Sequence, residues 1–255
     1  MLTWLYWFIG LLISTLAGAF LVRNFRNTYG YPLLISLYAA FIVVTNMLTS
    51  RVVYYDLFGI VVVTAGATFI FPFIAQIVDM INEVYGRRAT YMAVLITLLT
   101  NIVASIMVWH VALETPAIDV IGVSEIYEEA WQYFITPVPR IVIASYLAFY
   151  IANILDAKVF ADLKRHFYTR YSEAHKDLLT IVSFVLIRSL ASDLVNMVID
   201  SLVFFPLAFS FTVPFEALPE MTLGGMYVKI VATILMQPYL IIYRILIRDV
   251  ERTID

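Results

Sequence analysis

LLTIVSFVLIRSLASDLVNMVIDSLVFF, residues 178–205, decides how the whole chain is read. The run exceeds the roughly 20 apolar residues that carry a helix across a bilayer core. Yet it holds Arg188, Ser189, Ser192, Asp193, Asn196 and Asp200. At 100° per residue these six share one arc of about 140°. Each ionisable group at the centre of a membrane helix costs roughly 2.5–3.5 kcal/mol on insertion scales. Such a stripe faces protein or a wet cavity, never lipid. Two readings follow: the stripe lines a solute or ion pathway, or it is a network of buried pairs that locks helices together.

The rest of the chain agrees with a membrane setting. Of 255 residues, 62% are hydrophobic and only 14% are charged, against about a quarter charged in soluble domains. The net charge of -3 gives no basic footprint for nucleic acid. With no cysteine there is no disulfide framework and no thiolate metal site. Six further apolar runs are long enough to be spans: about 2–22, 31–49, 58–81, 89–111, 140–160 and 225–247. The expected architecture is an all-α polytopic bundle of seven transmembrane helices with no separate soluble domain. Pro32 and Pro139 stand where spans two and five begin, where a missing N–H costs little. Pro206 is expected to stop span six, and Pro72 and Pro238 to kink spans three and seven.

Charge sets the orientation. Of the 16 Lys and Arg, Arg188 and Lys229 lie within spans, and Arg51 and Arg140 fall in loops on one side. All the others, including Arg23, Arg26, Arg87, Arg88, Lys164, Arg244 and Arg248, fall on the opposite side, which the positive-inside rule makes cytoplasmic. The expected protein spans the plasma membrane with its N-terminus outside and its C-terminus inside. Ala17-Gly18-Ala19 has the small residues of a cleavage site, but no positive segment precedes the apolar run, so span one reads as an uncleaved anchor. In the acidic outer loop 112–138, Tyr127, Ala130, Trp131 and Phe134 recur at helical spacing opposite Glu128 and Gln132. That spacing predicts a short amphipathic helix, either resting on the bundle or lying over an entrance.

Polar residues mark the other spans too. Gln76, Asp79 and Glu83 share one face of span three, with Glu83 also placed to pair with Arg87 or Arg88. Asp200 and Lys229 lie at similar depth below the outer ends of spans six and seven, and are expected to be neighbours that pair or share a ligand. Asn46, Asn101 and Asn153 place amides on spans two, four and five, where amides often only join helices. No H-E-x-x-H zinc motif, P-loop, buried Ser/His pair or T-V-G-Y-G filter is present, so protease, ATPase and potassium-channel readings lose. Neither a metal nor a cofactor is expected, and no enzymatic activity.

Taken in order, four blocks resemble the queuosine precursor transporter family, also called the vitamin uptake transporter family. The first is Phe71-Pro72-Phe73 with Asp79-x-x-Asn82-Glu83-x-Tyr85-Gly86-Arg87-Arg88. The second is Arg140, Ala144, Ser145, Ala148, Asn153 and Asp156; the third is Arg188, Ser192, Asp200, Ser201 and Phe204; the last is Lys229 and Pro238. The likeness covers about residues 36–250. It departs where the family commonly has an amide three residues before the span-six aspartate: Met197 stands there, and the amide is Asn196. The family usually has six helices, so the resemblance divides the chain into an added helix with a short loop, 1–30, and a six-helix core, 31–255.

The resemblance implies import of a 7-deazaguanine base, such as 7-cyano-7-deazaguanine, for tRNA modification. The residue chemistry suits such a cargo. A guanine-like edge offers a ring N–H and an exocyclic amino group, which one carboxylate can accept together. Asp200 is the first choice for that carboxylate and Asp79 the second. Lys229 and Arg188 supply cations, and Asn46, Gln76, Glu83, Asn101, Ser192 and Asn196 supply further contacts to the cargo. Arg140, Asn153, Asp156 and Asp193 are expected to tie helices or gate. The expected partners are this purine-like base and the lipid bilayer, with a homo-oligomer or an energy-coupling partner also compatible. Three functions remain open: a solute carrier, a binding subunit that needs a separate ATP-driven module, and a structural protein whose charges only pin helices.

Overall fold

The computed structural model describes residues 2–116, 124–152, 178–247 and 249–250; for residues 2, 3, 87 and 178–193 it describes the backbone alone. Helix α1 (Leu2–Phe25) passes through a π-turn (Arg26–Gly30) into α2 (Tyr31–Leu48). A β-hairpin follows, β1 (Val52–Leu57) paired with β2 (Ile60–Ala65). Then come a 3-10 turn (Gly66–Ile70), the long α3 (Phe71–Leu113), α4 (Glu125–Ile135) and α5, described over 138–152. Helices α6 (Leu178–Phe209) and α7 (Leu218–Leu246) complete the described chain.

Among the described residues, five helical stretches are long and apolar enough to cross a membrane: Trp4–Leu48, Gly66–Gly86, Arg88–Leu113, Glu125–Ala152 and Phe215–Leu246. Leu194–Phe209 is a shorter apolar stretch. The chain is thus a helical polytopic membrane protein. The first stretch contains both α1 and α2.

The hairpin corrects the all-helical reading and the expected third span at 58–81. Val52-Val-Tyr-Tyr and Ile60-Val-Val-Val-Thr are β-branched and aromatic, residues that fit a pleated surface. Phe58 (φ 56°) and Gly59 (φ 85°) both take positive φ, the signature of a tight two-residue turn, and the Gly59 N–H donates to Asp56 Oδ1 at 2.9 Å. Helix α3 therefore starts at Phe71, and Pro72 opens it instead of kinking it. Pro206 likewise lies inside α6, which runs on to Phe209 before the Ser210 N–H closes on the Pro206 carbonyl at 3.1 Å.

Two compact units form. One gathers Met1–Val53, Ala65–Val142 and Val231–Asp255; the other gathers Tyr54–Thr64 and Ile143–Ile230. In the first, the arm of α3 at 71–85 is the central element. Its Ile77, Met80, Ile81 and Val84 are buried at i, i+3, i+4, i+7, against Leu34 and Tyr38 of α2 and Tyr243 of α7. Helix α1 runs parallel to this arm: Trp7 Nε1 donates to the Phe69 carbonyl at 2.8 Å, Gly10 lies under the Phe73 ring, Thr15 bonds Gln76, and Gly18 lies under Met80. Helix α2 runs antiparallel to the same arm, since Phe41 meets Phe73 and Tyr31 meets Tyr85, with ring centroids 5.9 and 5.2 Å apart. The chain therefore reverses at 26–30. Gly86 (φ 81°, ψ 176°) breaks α3 into two arms. Beyond it, Tyr31 Oη donates to the Ala89 carbonyl at 2.6 Å, so the second arm starts beside the start of α2, and both lead away from that point as helices long enough to cross a membrane.

Helix α4 forms as expected, with Ser124 capping it by accepting from the Tyr127 N–H at 3.3 Å. Its inward face is rotated from the expected one. Tyr127 is exposed, while Glu128, Trp131 and Gln132 are half-buried and Ile135 is buried. The cause is Gln132, whose Nε2 donates to the Ala112 carbonyl at the end of α3 (3.3 Å) and to Glu128 Oε1 (2.8 Å). Those bonds turn the amide toward protein, where the apolar pattern alone puts it outward.

In the second unit the start of α7 packs on the hairpin. Gly224 comes so close to the Val63 carbonyl that a Cβ there would collide with it. A side chain at this position would push β2 off the helix.

Candidate functional site

The second unit holds a buried salt bridge in apolar surroundings. Asp200 and Lys229 each lie a similar number of turns back from the connection between α6 and α7, so the two antiparallel helices bring them level. Lys229 Nζ donates to Asp200 Oδ2 in a short, direct ion pair. Only 8% of Asp200 and 4% of Lys229 is exposed. The expectation from depth alone, that these two are neighbours, is met. The aromatic surroundings were not anticipated: Lys229 Nζ lies 5.6 Å from the Phe204 ring centroid and 5.7 Å from that of Phe205. Phe205 and Phe209 stack at 5.9 Å, and Phe205 is held by Gly225, where any Cβ would strike the ring. Cation–π attraction adds to the ion pair where water is excluded. Ser201, next to Asp200, is fully buried and its Oγ has no hydrogen-bond partner. Asn196, one turn from Asp200, is half-buried.

Chemically, this corner offers a carboxylate acceptor, an ammonium donor, a free hydroxyl and ring faces. That set can hold a flat polar solute: donors of the solute go to Asp200, acceptors to Lys229 or Ser201, and the plane rests on phenylalanine.

The first unit holds a second group of buried polar side chains. Gln76 is fully buried; its Nε2 donates to Thr15 Oγ1 at 2.6 Å and its Oε1 has no partner. Asn46 and Asn101 are buried with their Nδ2 atoms unpartnered, and so is the Thr97 hydroxyl. Asp79 is half-buried on the Gln76 helix. Glu83 pairs with Arg244 of α7 at 3.2 Å, and the side chain of Arg87, one of its two expected partners, lies outside the described residues. A partner this distant in sequence is one that local spacing cannot show. Arg140 is half-buried in the first turn of α5. The side chains of Arg188, Ser192 and Asp193 lie outside the described residues, as do Asn153 and Asp156.

A cleft of about 280 Å³ opens beside Val22, Arg23, Arg26, Leu246 and Asp249, and none of the expected cargo residues lines it. Among the described residues, no cluster of His, Asp or Glu is arranged to hold a metal ion.

A family model described as "Putative vitamin uptake transporter" matches residues 65–243, more than half of the chain. The match includes the hairpin's end, the Gln76–Glu83 face, Asp200 and Lys229, and it excludes α1 and α2. No curated protein and no solved structure matches.

Proposed function

The chain belongs to the vitamin uptake transporter family, and we propose that the solute it imports is a 7-deazaguanine base, 7-cyano-7-deazaguanine or a close relative, destined for tRNA modification. The observation that carries this reading is the Asp200–Lys229 pair set against Phe204 and Phe205. In the bound state Asp200 accepts from the ring N–H and exocyclic amino group of the base. Lys229 donates to the lactam oxygen, and the rings support the bicyclic plane. The pair keeps both charges satisfied when no solute is bound, and exchanging Lys229 for the two donors of the base keeps Asp200 satisfied when one is.

Purified chain in vesicles is expected to accumulate the base and not adenine, whose edge presents acceptor and donor in the wrong order. Binding without uptake would identify a subunit that depends on a separate energy-coupling module. Absence of both binding and uptake would overturn the reading. Asp200→Asn keeps the volume and an acceptor for Lys229, so it is expected to fold. It loses one charge-assisted acceptor, worth about 1.5–3 kcal/mol, hence roughly a 10- to 100-fold weaker affinity for the base. Unchanged affinity in the folded variant removes Asp200 from the site.

The same proposal places the N-terminus outside and the C-terminus in the cytoplasm of a cell whose plasma membrane holds the protein. It is supported by the end of the first unit where Tyr31, Tyr85 and Ala89 meet, which also carries Arg23, Arg26, Arg88 and Arg244. A cysteine replacing Thr115 is expected to react with an impermeant reagent added to intact cells, and one replacing Tyr171 is not. The opposite labelling would reverse the topology.

A further inference from the structure

We propose that α1, which lies outside the matched family region, supplies a positioning residue: Thr15 fixes the polarity of Gln76 so that Gln76 Oε1 is held ready to accept a hydrogen bond from an N–H of the carried solute.

The argument runs through one proton. A threonine hydroxyl has a single hydrogen and two acceptor sites. In α1 the Thr15 hydroxyl donates that hydrogen to the Leu11 carbonyl, one turn back, at 2.6 Å. Toward α3 its oxygen can therefore only accept. The group facing it must be a donor, and it is the Gln76 Nε2, at 2.6 Å. The carboxamide is thereby denied its other rotation, and Oε1 is turned away from α1. Both residues are fully buried, and Oε1 meets no donor. A buried acceptor left unsatisfied is costly, so an arrangement that enforces one calls for a function.

The surroundings suit a solute contact. With Phe41 level with Phe73, and Tyr31 level with Ala89, counting 1.5 Å per residue along α2 and both arms of α3 puts Gln76 and Thr97 at about the same height. Asn101 is about one turn further along. Thr97 Oγ1 and Asn101 Nδ2 are also buried and unpartnered. The first unit thus offers a buried acceptor and buried donors at similar depth. The complementary chemical class is a neutral planar heterocycle with an N–H next to a carbonyl or ring-nitrogen acceptor. A carboxylate or phosphate is excluded as the group at Gln76, because an acceptor would face an acceptor. The inference rests on the reading of the chain as a carrier of a nitrogen heterocycle, and it assigns α1 a part in selecting that solute.

The test uses the full-length protein in vesicles and three ligands: 7-cyano-7-deazaguanine and its two forms methylated at the lactam nitrogen and at the pyrrole nitrogen. Thr15→Val keeps the shape and removes the acceptor; Thr15→Ser keeps the acceptor. Thr15→Val is expected to weaken binding of the unmethylated base about tenfold, and Thr15→Ser to restore it. For one of the methylated forms the wild type and Thr15→Val should bind equally, because the donor that Gln76 accepts is gone. Should Thr15→Val bind the base as wild type does, or weaken all three ligands by the same factor, Thr15 has no role in recognition and the inference falls alone. A wild-type protein that binds none of the three overturns the proposed cargo, and this inference with it.

Discussion

Lys229→Met is expected to be among the most damaging single substitutions in this chain, costing about 3–5 kcal/mol of stability, the range for breaking a buried ion pair by removing one partner. Methionine matches the lysine stem in length and apolar character, so packing against Phe204 and Phe205 survives. What is lost is the cation that Asp200 faces, in a site where that carboxylate is 8% exposed. Thermal unfolding in detergent, or denaturant titration in bicelles, reads the loss. The decisive comparison is the double variant Asp200→Leu with Lys229→Met. Replacing both charges with apolar groups removes the unpaired carboxylate, and stability is expected to return to within about 1 kcal/mol of wild type. Uptake should not return. If the double variant regained transport, the pair would be a helix tie and no part of the solute site. A loss below about 1 kcal/mol in the single variant would show that water reaches Asp200 freely.

That pair was legible in the sequence for a definite reason. Ionisable residues are rare inside spans, their depth can be counted from the ends, and two opposite charges at one depth in consecutive helices have few other places to go. Other features were hidden for equally definite reasons. The residues of the hairpin at Val52–Ala65 are as apolar as a span, so hydropathy merged Ile60–Ala65 with the helix beyond. The signal was the β-branched run with a Phe58-Gly59 turn, not its greasiness. In α1, the buried stripe Leu11, Thr15 and Val22 stands among exposed Leu12, Ile13 and Leu16. Lipid accepts the same side chains as the protein interior, so periodicity cannot show which face docks. Thr15 carries no signal in the sequence because a hydroxyl in a helix satisfies itself on the preceding turn; only the structure shows that it also receives Gln76. The pairing of Glu83 with Arg244 follows from α7 lying beside the end of the first α3 arm, a tertiary fact.

The corner of α3 makes the second large prediction. Gly86, within the motif run Tyr85-Gly86-Arg87-Arg88, stands between two expected spans, and it is the single non-helical residue at which one arm ends and the next begins. Its φ of 81° with ψ of 176° falls in a region that is essentially glycine's alone. Three bonds brace the corner. Thr90 Oγ1 donates to the Gly86 carbonyl at 3.0 Å, Tyr31 Oη to the Ala89 carbonyl at 2.6 Å, and Tyr85 Oη to the Arg26 carbonyl at 3.2 Å. An alanine here must either hold the strained angles, at about 1–3 kcal/mol, or relax and swing the second arm off Tyr31. Gly86→Ala is therefore expected to lower stability by that amount and to abolish uptake, since Thr97 and Asn101 ride on the displaced arm. Gly86→Asn should fare no better, because asparagine tolerates the left-handed helical region but not a ψ near 180°. Gly59→Asn supplies the control: its positive φ belongs to a tight hairpin turn with open space around it, and the change is expected to cost well under about 1 kcal/mol. Equal tolerance of Gly86→Asn and Gly59→Asn would mean that the corner is an ordinary turn, able to open without disturbing either arm.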